Sequence, residues 1–439
     1  MRITAHLDVE LIALETEDRV SVLIELAAPP APAGGTERAP STLQVVLDRS
    51  GSMGGARIAG ARTALLNLVD RLDPRDNFGL VVFDNEVDLP VPAGPLTDKA
   101  AVKRAIAGVD ARGSTDLSSG YLHGLQEARR VVGDGGAGTV LIVSDGHANV
   151  GIVDPATLGR VAAEAYTHGV TTSTLGFGLG YDEVLMSAIA RGGSGNEHFA
   201  EEPDTAVALI AGEVEGLLAQ TVQAASLQVR LGSDVRRVLV VNDLPSNVVD
   251  GGLIVELGSF YADETRKVVL TFDIPGVAAL GLAEVATLTF TYVELPALVQ
   301  HTVTVPVTVN VVPGDQAAGR VADPVVRTEL VYLKAQQAKR RASGHLSKGD
   351  SDAALRELRQ AQQDIAAARA NAPDAQAADL AEEAQELEYL ARETEYGSQA
   401  RSGKYLSASS YRKMQKRGRV FPSQQTPPVD PDTGDNDGS

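Results

Sequence analysis

The chain has 439 residues, a net charge of −19 and no cysteine. That length suits two or three domains. The charge excludes general nucleic-acid affinity, and the missing thiols exclude a disulfide framework or a cysteine zinc site. Neither the opening Met1-Arg2-Ile3-Thr4-Ala5-His6-Leu7-Asp8 nor any later stretch reads as a signal peptide or as the roughly 20 apolar residues of a membrane span. The expectation is therefore a cytoplasmic protein with no membrane span.

Residues 1–28 hold two alternating runs, around Ile3–Leu14 and Val20–Leu26, that read as half-buried strands. Pro29 to Pro40 reads as a linker. Over residues 41–220 strands and helices alternate. Strands are expected at Leu43–Leu47, Phe78–Phe83, Thr139–Val143 and Val170–Phe177, with a short one near His198–Ala200. Helices are expected at Arg57–Arg71, Asp98–Ala107, Leu117–Val132, Asp154–His168, Asp182–Ala190 and Asp204–Ala219. This alternation predicts an α/β, doubly wound, mostly parallel sheet with helices on both faces.

Residues 224–313 are strand-rich, most clearly at Leu227–Leu231, Val268–Phe272 and Val303–Val309, and suggest a β-sandwich. Because an isolated hairpin is marginal, the two amino-terminal runs are expected to join that sandwich, with the α/β domain inserted between. A small independent amino-terminal unit is the alternative. Residues 323–396, rich in Ala, Glu, Gln, Leu and Arg, predict three helices broken near Gly349-Asp350 and Asn371-Ala372-Pro373. Residues 399–439 read as a disordered tail. Within it, Arg401 to Arg419 carries seven basic and no acidic residues, and Pro427-Pro428 precedes Asp430, Asp432, Asp435 and Asp437.

The apolar run Leu43–Leu47 ends in Asp48-Arg49-Ser50-Gly51-Ser52-Met53. In an open α/β sheet the carboxyl ends of the strands form the ligand edge. Asp48, Ser50 and Ser52 would fall there, as would Thr115 in Gly113-Ser114-Thr115-Asp116 and Asp145 in Ser144-Asp145-Gly146. Carboxylates and hydroxyls form a hard, all-oxygen donor set that suits Mg²⁺ or Mn²⁺ rather than Zn²⁺ or Cu²⁺. Asp116 reads as a helix cap, Asp84 as a loop-holding acid and His147 as a solvated loop residue. The glycines at 51, 54, 55 and 60 lack a following Gly-Lys-Ser/Thr and make no phosphate loop.

These three loops, in this order, resemble the metal-loop motifs of the von Willebrand factor type A (VWA) family. Asp48-Arg49-Ser50-Gly51-Ser52 matches its DxSxS motif, and Thr115 and Asp145 match its second and third metal-loop residues. Ser144–Gly151 and Ser173–Gly178 are similar to its bacterial cytoplasmic members in particular. The resemblance implies a metal ion-dependent adhesion site (MIDAS). There Ser50, Ser52 and Thr115 give hydroxyl oxygens to Mg²⁺ (Mn²⁺ or Ca²⁺ being alternatives), while Asp48 and Asp145 lie close and reach it through water. One coordination position would stay open for a Glu or Asp of a partner protein.

The function expected is a non-enzymatic, Mg²⁺-dependent protein-binding scaffold. An accessory subunit of a MoxR- or chelatase-type AAA+ ATPase is the alternative. A phosphohydrolase with Asp48 as nucleophile is disfavoured. Aspartyl-phosphate chemistry wants a second acid two residues on, where this chain has Ser50.

Overall fold

The computed structural model describes residues 1–31, 38, 40–133 and 136–415. Most of the expected Pro29–Pro40 linker lies outside them, as do Lys416, Arg417, Arg419, Pro427-Pro428 and the terminal aspartates of the expected tail.

The chain opens with strands β1 (Arg2–Leu7), β2 (Leu11–Ala13) and β3 (Asp18–Ala27). It then alternates through β4 (Thr42–Asp48), a short 3-10 turn Gly51–Met53, α1 (Ala56–Arg71), β5 (Asn77–Phe83), β6 (Val87–Pro95), α2 (Lys99–Ala107) and α3 (Leu117–Val132). The alternation continues through β7 (Gly138–Ser144), α4 (Pro155–Thr167), β8 (Val170–Phe177), α5 (Glu183–Gly192), β9 (Ser194–Ala200) and α6 (Pro203–Leu218). These six strands form one sheet in the order β6-β5-β4-β7-β8-β9, parallel except for the β5–β6 pair. Four of the helices start on an aspartate that accepts a backbone N–H of the first turn: Asp98, Asp116, Asp154 and Asp182. Such caps stabilise a helix by about 1 kcal/mol each.

Every residue of β4 is buried. Leu43, Val45 and Leu47 pack into the layer of α1 and α6, and Val46 into the layer of α3 and α4. That two-sided burial is why the strand reads as a continuous apolar run rather than an alternating one. α3 approaches the sheet closely because Gly120 and Gly124 lie one turn apart beneath it. A β-carbon on Gly124 would sit 2.2 Å from Val46 Cγ2, and one on Gly120 2.5 Å from the Phe83 ring. Gly124→Ala is accordingly expected to destabilise the protein by about 1–3 kcal/mol through overpacking, despite alanine's better helix propensity. Chemical denaturation measures this; a stabilised Gly124→Ala would contradict the packing argument.

After α6 come β10 (Gln220–Leu231), β11 (Arg237–Val240), β12 (Ser246–Val249), β13 (Gly252–Tyr261), β14 (Thr265–Ile274), β15 (Gly281–Glu294) and β16 (Val299–Val312). They form two sheets, β1-β3-β14-β11 and β12-β13-β10-β15-β16-β2. The amino-terminal β3 thus pairs along its whole length with β14, and β2 runs parallel to the end of β16. The two sheets share one apolar core, with Val20, Val22 and Ile24 against Leu227, Leu288 and Phe290.

A single helical turn, α7 (Gly314–Ala317), leads to α8 (Pro324–Leu346), α9 (Ser351–Arg369), α10 (Asp374–Tyr396) and α11 (Gln399–Met414). The breaks between α8, α9 and α10 fall at the expected Gly349-Asp350 and Asn371–Pro373. The last helix corrects the expected disorder of residues 399–439 over its first sixteen positions. α11 buries Leu406, Tyr411 and Met414 and packs between α8 and the α/β sheet edge at β9. Several of its basic residues are ion-paired: Arg401 with Glu201, Lys404 with Glu183, and Lys413 with Glu383 and Glu386. A basic run reads as disordered only when its acidic partners, here far away in sequence, are left out.

α6 is pinned to the sheet by Glu213. The Glu213 carboxylate accepts hydrogen bonds from Ser173 and from Asn196 Nδ2 at 2.8 Å, with His198 Nε2 at 3.0 Å. Burial works to raise this carboxyl, but the His198 hydrogen bond and charge, aided by Ser173 and Asn196, hold it at about 2 against an ordinary 4.5. A depressed carboxyl stabilises the fold above its unfolded value and loses that contribution as pH falls from about 4.5 toward 2. Glu213→Gln should therefore cost on the order of 3 kcal/mol at neutral pH. The gap to wild type should close on acidification, as read from unfolding midpoints between pH 6 and 2.5. A gap that stays constant would overturn this.

Candidate functional site

The site forms where β4 and β7, neighbours in the sheet, send their following helices to opposite faces. This is the topological switch point, where an open α/β sheet leaves a crevice. The loop before α3 completes it. Three backbone hydrogen bonds knit that loop in: Gly51 N donates to Gly113 O at 3.0 Å, Arg112 N to Arg49 O at 2.6 Å, and Asp116 N to Asp84 O at 2.9 Å. Gly113 has φ of +71°, and a β-carbon there would strike Asn85 Oδ1 at 2.3 Å, so the turn requires glycine.

Four of the five expected residues form one continuous hydrogen-bonded chain. Asp48 is fully buried; its Oδ1 accepts from Ser50 N at 2.7 Å and its Oδ2 from Ser144 Oγ at 2.6 Å. Ser50 Oγ lies 3.0 Å from Ser52 Oγ, and Ser52 Oγ donates to Asp145 Oδ1 at 2.7 Å. The fifth, Thr115, sits across Gly146: a β-carbon on that glycine would lie 3.0 Å from Thr115 Oγ1 and 3.6 Å from Ser52 Oγ. Burial pushes the Asp48 carboxyl up to about 6, although hydrogen bonds from Ser144 and Ser50 oppose the rise.

The donor set therefore consists of three hydroxyls and two buried carboxylates converging from three loops. Among the described residues no group of three or more His, Cys, Asp or Glu side chains gathers as a metal cluster. The convergence here depends on Ser and Thr instead. An all-oxygen set with a glycine keeping two hydroxyls clear fits a small hard cation such as Mg²⁺. Ser50, Ser52 and Thr115 would hold the ion, with Asp48 and Asp145 behind them. A bound ion would supply electrophilic charge to an incoming anion.

The neighbouring residues have structural roles. Asp116 caps α3 through Ser119 N at 3.0 Å. Asp84 binds Arg49 and Arg112, each at 2.9 Å, and accepts from Glu86 N. His147 is mostly exposed, with Nδ1 3.6 Å from Asp182 Oδ2. Two residues in contact with the set escape a reading by motif. One is Ser144, whose hydroxyl orients Asp48. The other is Arg57, whose guanidinium binds Asp145 Oδ2 at 2.5 Å. Arg57 stands five residues after Ser52 at the start of α1, which is the only signal the sequence carries of it.

Beside the site the loop from Gly146 to Val153 lies on the start of α3: Asn149 N donates to Thr115 O, and Ile152 N to Ser118 Oγ at 2.9 Å. Val150, Ile152 and Val153 in this loop are exposed, as are Leu122 on α3 and Val184 on α5. No helix of the described residues is long and apolar enough to cross a membrane.

Residues 43–211 match the family model of the von Willebrand factor type A domain. The chain is 30% identical over 191 residues to the uncharacterized protein YfbK of Escherichia coli, covering 43% of this chain and 33% of that one. It is 29% identical over 188 residues to human inter-alpha-trypsin inhibitor heavy chain H4, covering 41% of this chain and 20% of that one. The chain thus spans a third or less of the length of these relatives. In fold it is similar to a solved von Willebrand factor type A protein from Catenulispora acidiphila. The TM-score is 0.73 at 15% identity, over 95% of this chain and 97% of that one.

Proposed function

Residues 43–211 form a von Willebrand factor type A domain, and from that premise we propose that the protein is a non-enzymatic, Mg²⁺-dependent protein-binding module. Its ligand is an acidic side chain, Glu or Asp, of a partner protein, taken at Asp48, Ser50, Ser52, Thr115 and Asp145. The observation that carries this reading is the hydroxyl chain Ser50–Ser52–Asp145, with Thr115 across Gly146, at the switch point of the sheet. Hydroxyl donors neutralise little of a divalent cation's charge, so the ion would stay attractive to a carboxylate. The burial of Asp48, with both oxygens occupied by donors, supports an orienting role for it over that of a nucleophile or general base.

The exposed Val150, Ile152 and Val153 beside the site support a protein rather than a small anion as ligand, because apolar rims mark protein-interaction surfaces. Mn²⁺ or Ca²⁺ are the alternative ions. We place the protein in the cytoplasm, a proposal that cell fractionation tests. The function is tested by affinity capture from the source cells with Mg²⁺ and with EDTA, using wild type and Ser50→Ala. Partners lost under both treatments support the reading; partners retained under both move the function to another surface.

A further inference from the structure

We infer that Arg57 is a built-in counter-cation of the site: it takes the free oxygen of Asp145 when no metal is bound, and so sets the affinity with which a divalent ion enters. The inference rests on the metal-site reading and deepens it.

Asp145 has a fully buried side chain in a loop, with one oxygen committed to the Ser52 hydroxyl. A carboxylate so placed needs a second partner, because an unpaired buried charge is costly. Arg57 supplies it. Its Nη1 reaches Asp145 Oδ2 at 2.5 Å and also donates to Ser52 O at 3.3 Å. The guanidinium also lies against the loop after β8: a β-carbon on Gly178 would sit 2.8 Å from Arg57 Nη2. One cation thus joins the loops after β4, β7 and β8 at the mouth of the site. The Arg57 side chain is 38% exposed and can swing outward without unpacking the core.

A divalent ion entering beside Asp145 competes for the same negative charge and repels the guanidinium. Arg57 is therefore a positioning residue with two opposed effects. It holds the metal-free loops together, and it weakens metal binding.

The test measures Mn²⁺ and Mg²⁺ binding by titration calorimetry, and unfolding midpoints with and without metal, for the full chain and its variants. Arg57→Gln should bind Mn²⁺ about tenfold more tightly than wild type, since a unit charge a few ångströms away is removed. It should unfold at a lower temperature without metal, and gain a larger midpoint shift with it. Arg57→Lys, which keeps the charge, should stay near wild type. In the wild type, saturating Mg²⁺ should raise the modification of Arg57 by phenylglyoxal, read by mass spectrometry. This readout stands even if Arg57→Gln fails to fold.

Equal or weaker Mn²⁺ binding by Arg57→Gln, or tighter binding by Arg57→Lys as well, overturns the inference while leaving the metal-site reading intact. Failure of wild type and variants alike to bind either ion overturns that reading and the inference with it.

Discussion

Glu383→Ala should destabilise the protein by about 3–5 kcal/mol, the cost of breaking a buried ion pair from one side. Lys339 and Glu383 have no exposed side-chain surface and lie 2.5 Å apart, with Glu386 3.0 Å from the same ammonium. Lys413 of α11 closes the group onto Glu383 at 2.8 Å and onto Glu386. Two ammonium groups and two carboxylates balance. Deleting one carboxylate leaves two cations facing a single anion in a largely buried interface, and Lys413 of α11 keeps one of its two carboxylate partners. The paired change Lys339→Met with Glu383→Leu should cost far less than Glu383→Ala, since it removes the charges together and leaves Lys413 on Glu386. Urea unfolding followed by helical circular dichroism distinguishes the two. A single variant within about 1 kcal/mol of wild type would contradict this account.

Asp48→Ala should weaken Mn²⁺ binding roughly 100-fold, the upper range for losing a group that orients metal ligands. The Asp48 carboxylate holds the Ser50 backbone at 2.7 Å and the Ser144 hydroxyl at 2.6 Å, tying the first loop to the third. Alanine leaves both donors buried without an acceptor, each at a cost of about 1–3 kcal/mol, so the loop relaxes and the hydroxyls of Ser50 and Ser52 disperse. Titration calorimetry on a folded variant gives the affinity, and circular dichroism confirms the fold. Wild-type affinity in Asp48→Ala would place the ion elsewhere. Thr115→Ala, which removes a hydroxyl but no loop contact, should cost less stability for a comparable loss of affinity.

The strands and helices of the α/β unit were legible because their signals are local. Apolar runs fix the buried strands, and an aspartate before each of four helices fixes its start. β6 was not among the expected strands. It carries Pro90, Pro92 and Pro95, which an outermost antiparallel strand tolerates because one side of the backbone needs no partner. The five positions that converge were legible from three short motifs, because each motif is a local run at the end of a strand or the start of a helix. Ser144 and Arg57 were not, because each is defined by a partner about ninety residues away.

The sequence by itself determined the alternation of elements, the helix caps and the five oxygen-bearing positions, for these depend on residues within a few steps of one another. Only the tertiary structure decided which sheet the amino-terminal strands join, that α11 is a packed helix, and that Asp145 faces Arg57. Charge pairing and strand pairing are set by distance in space. A basic residue carries the same label in the sequence whether its acid is solvent-separated or 2.6 Å away, as Glu183 is from Lys404. The fold chooses between the two through desolvation, which strengthens a pair only once both partners have left water.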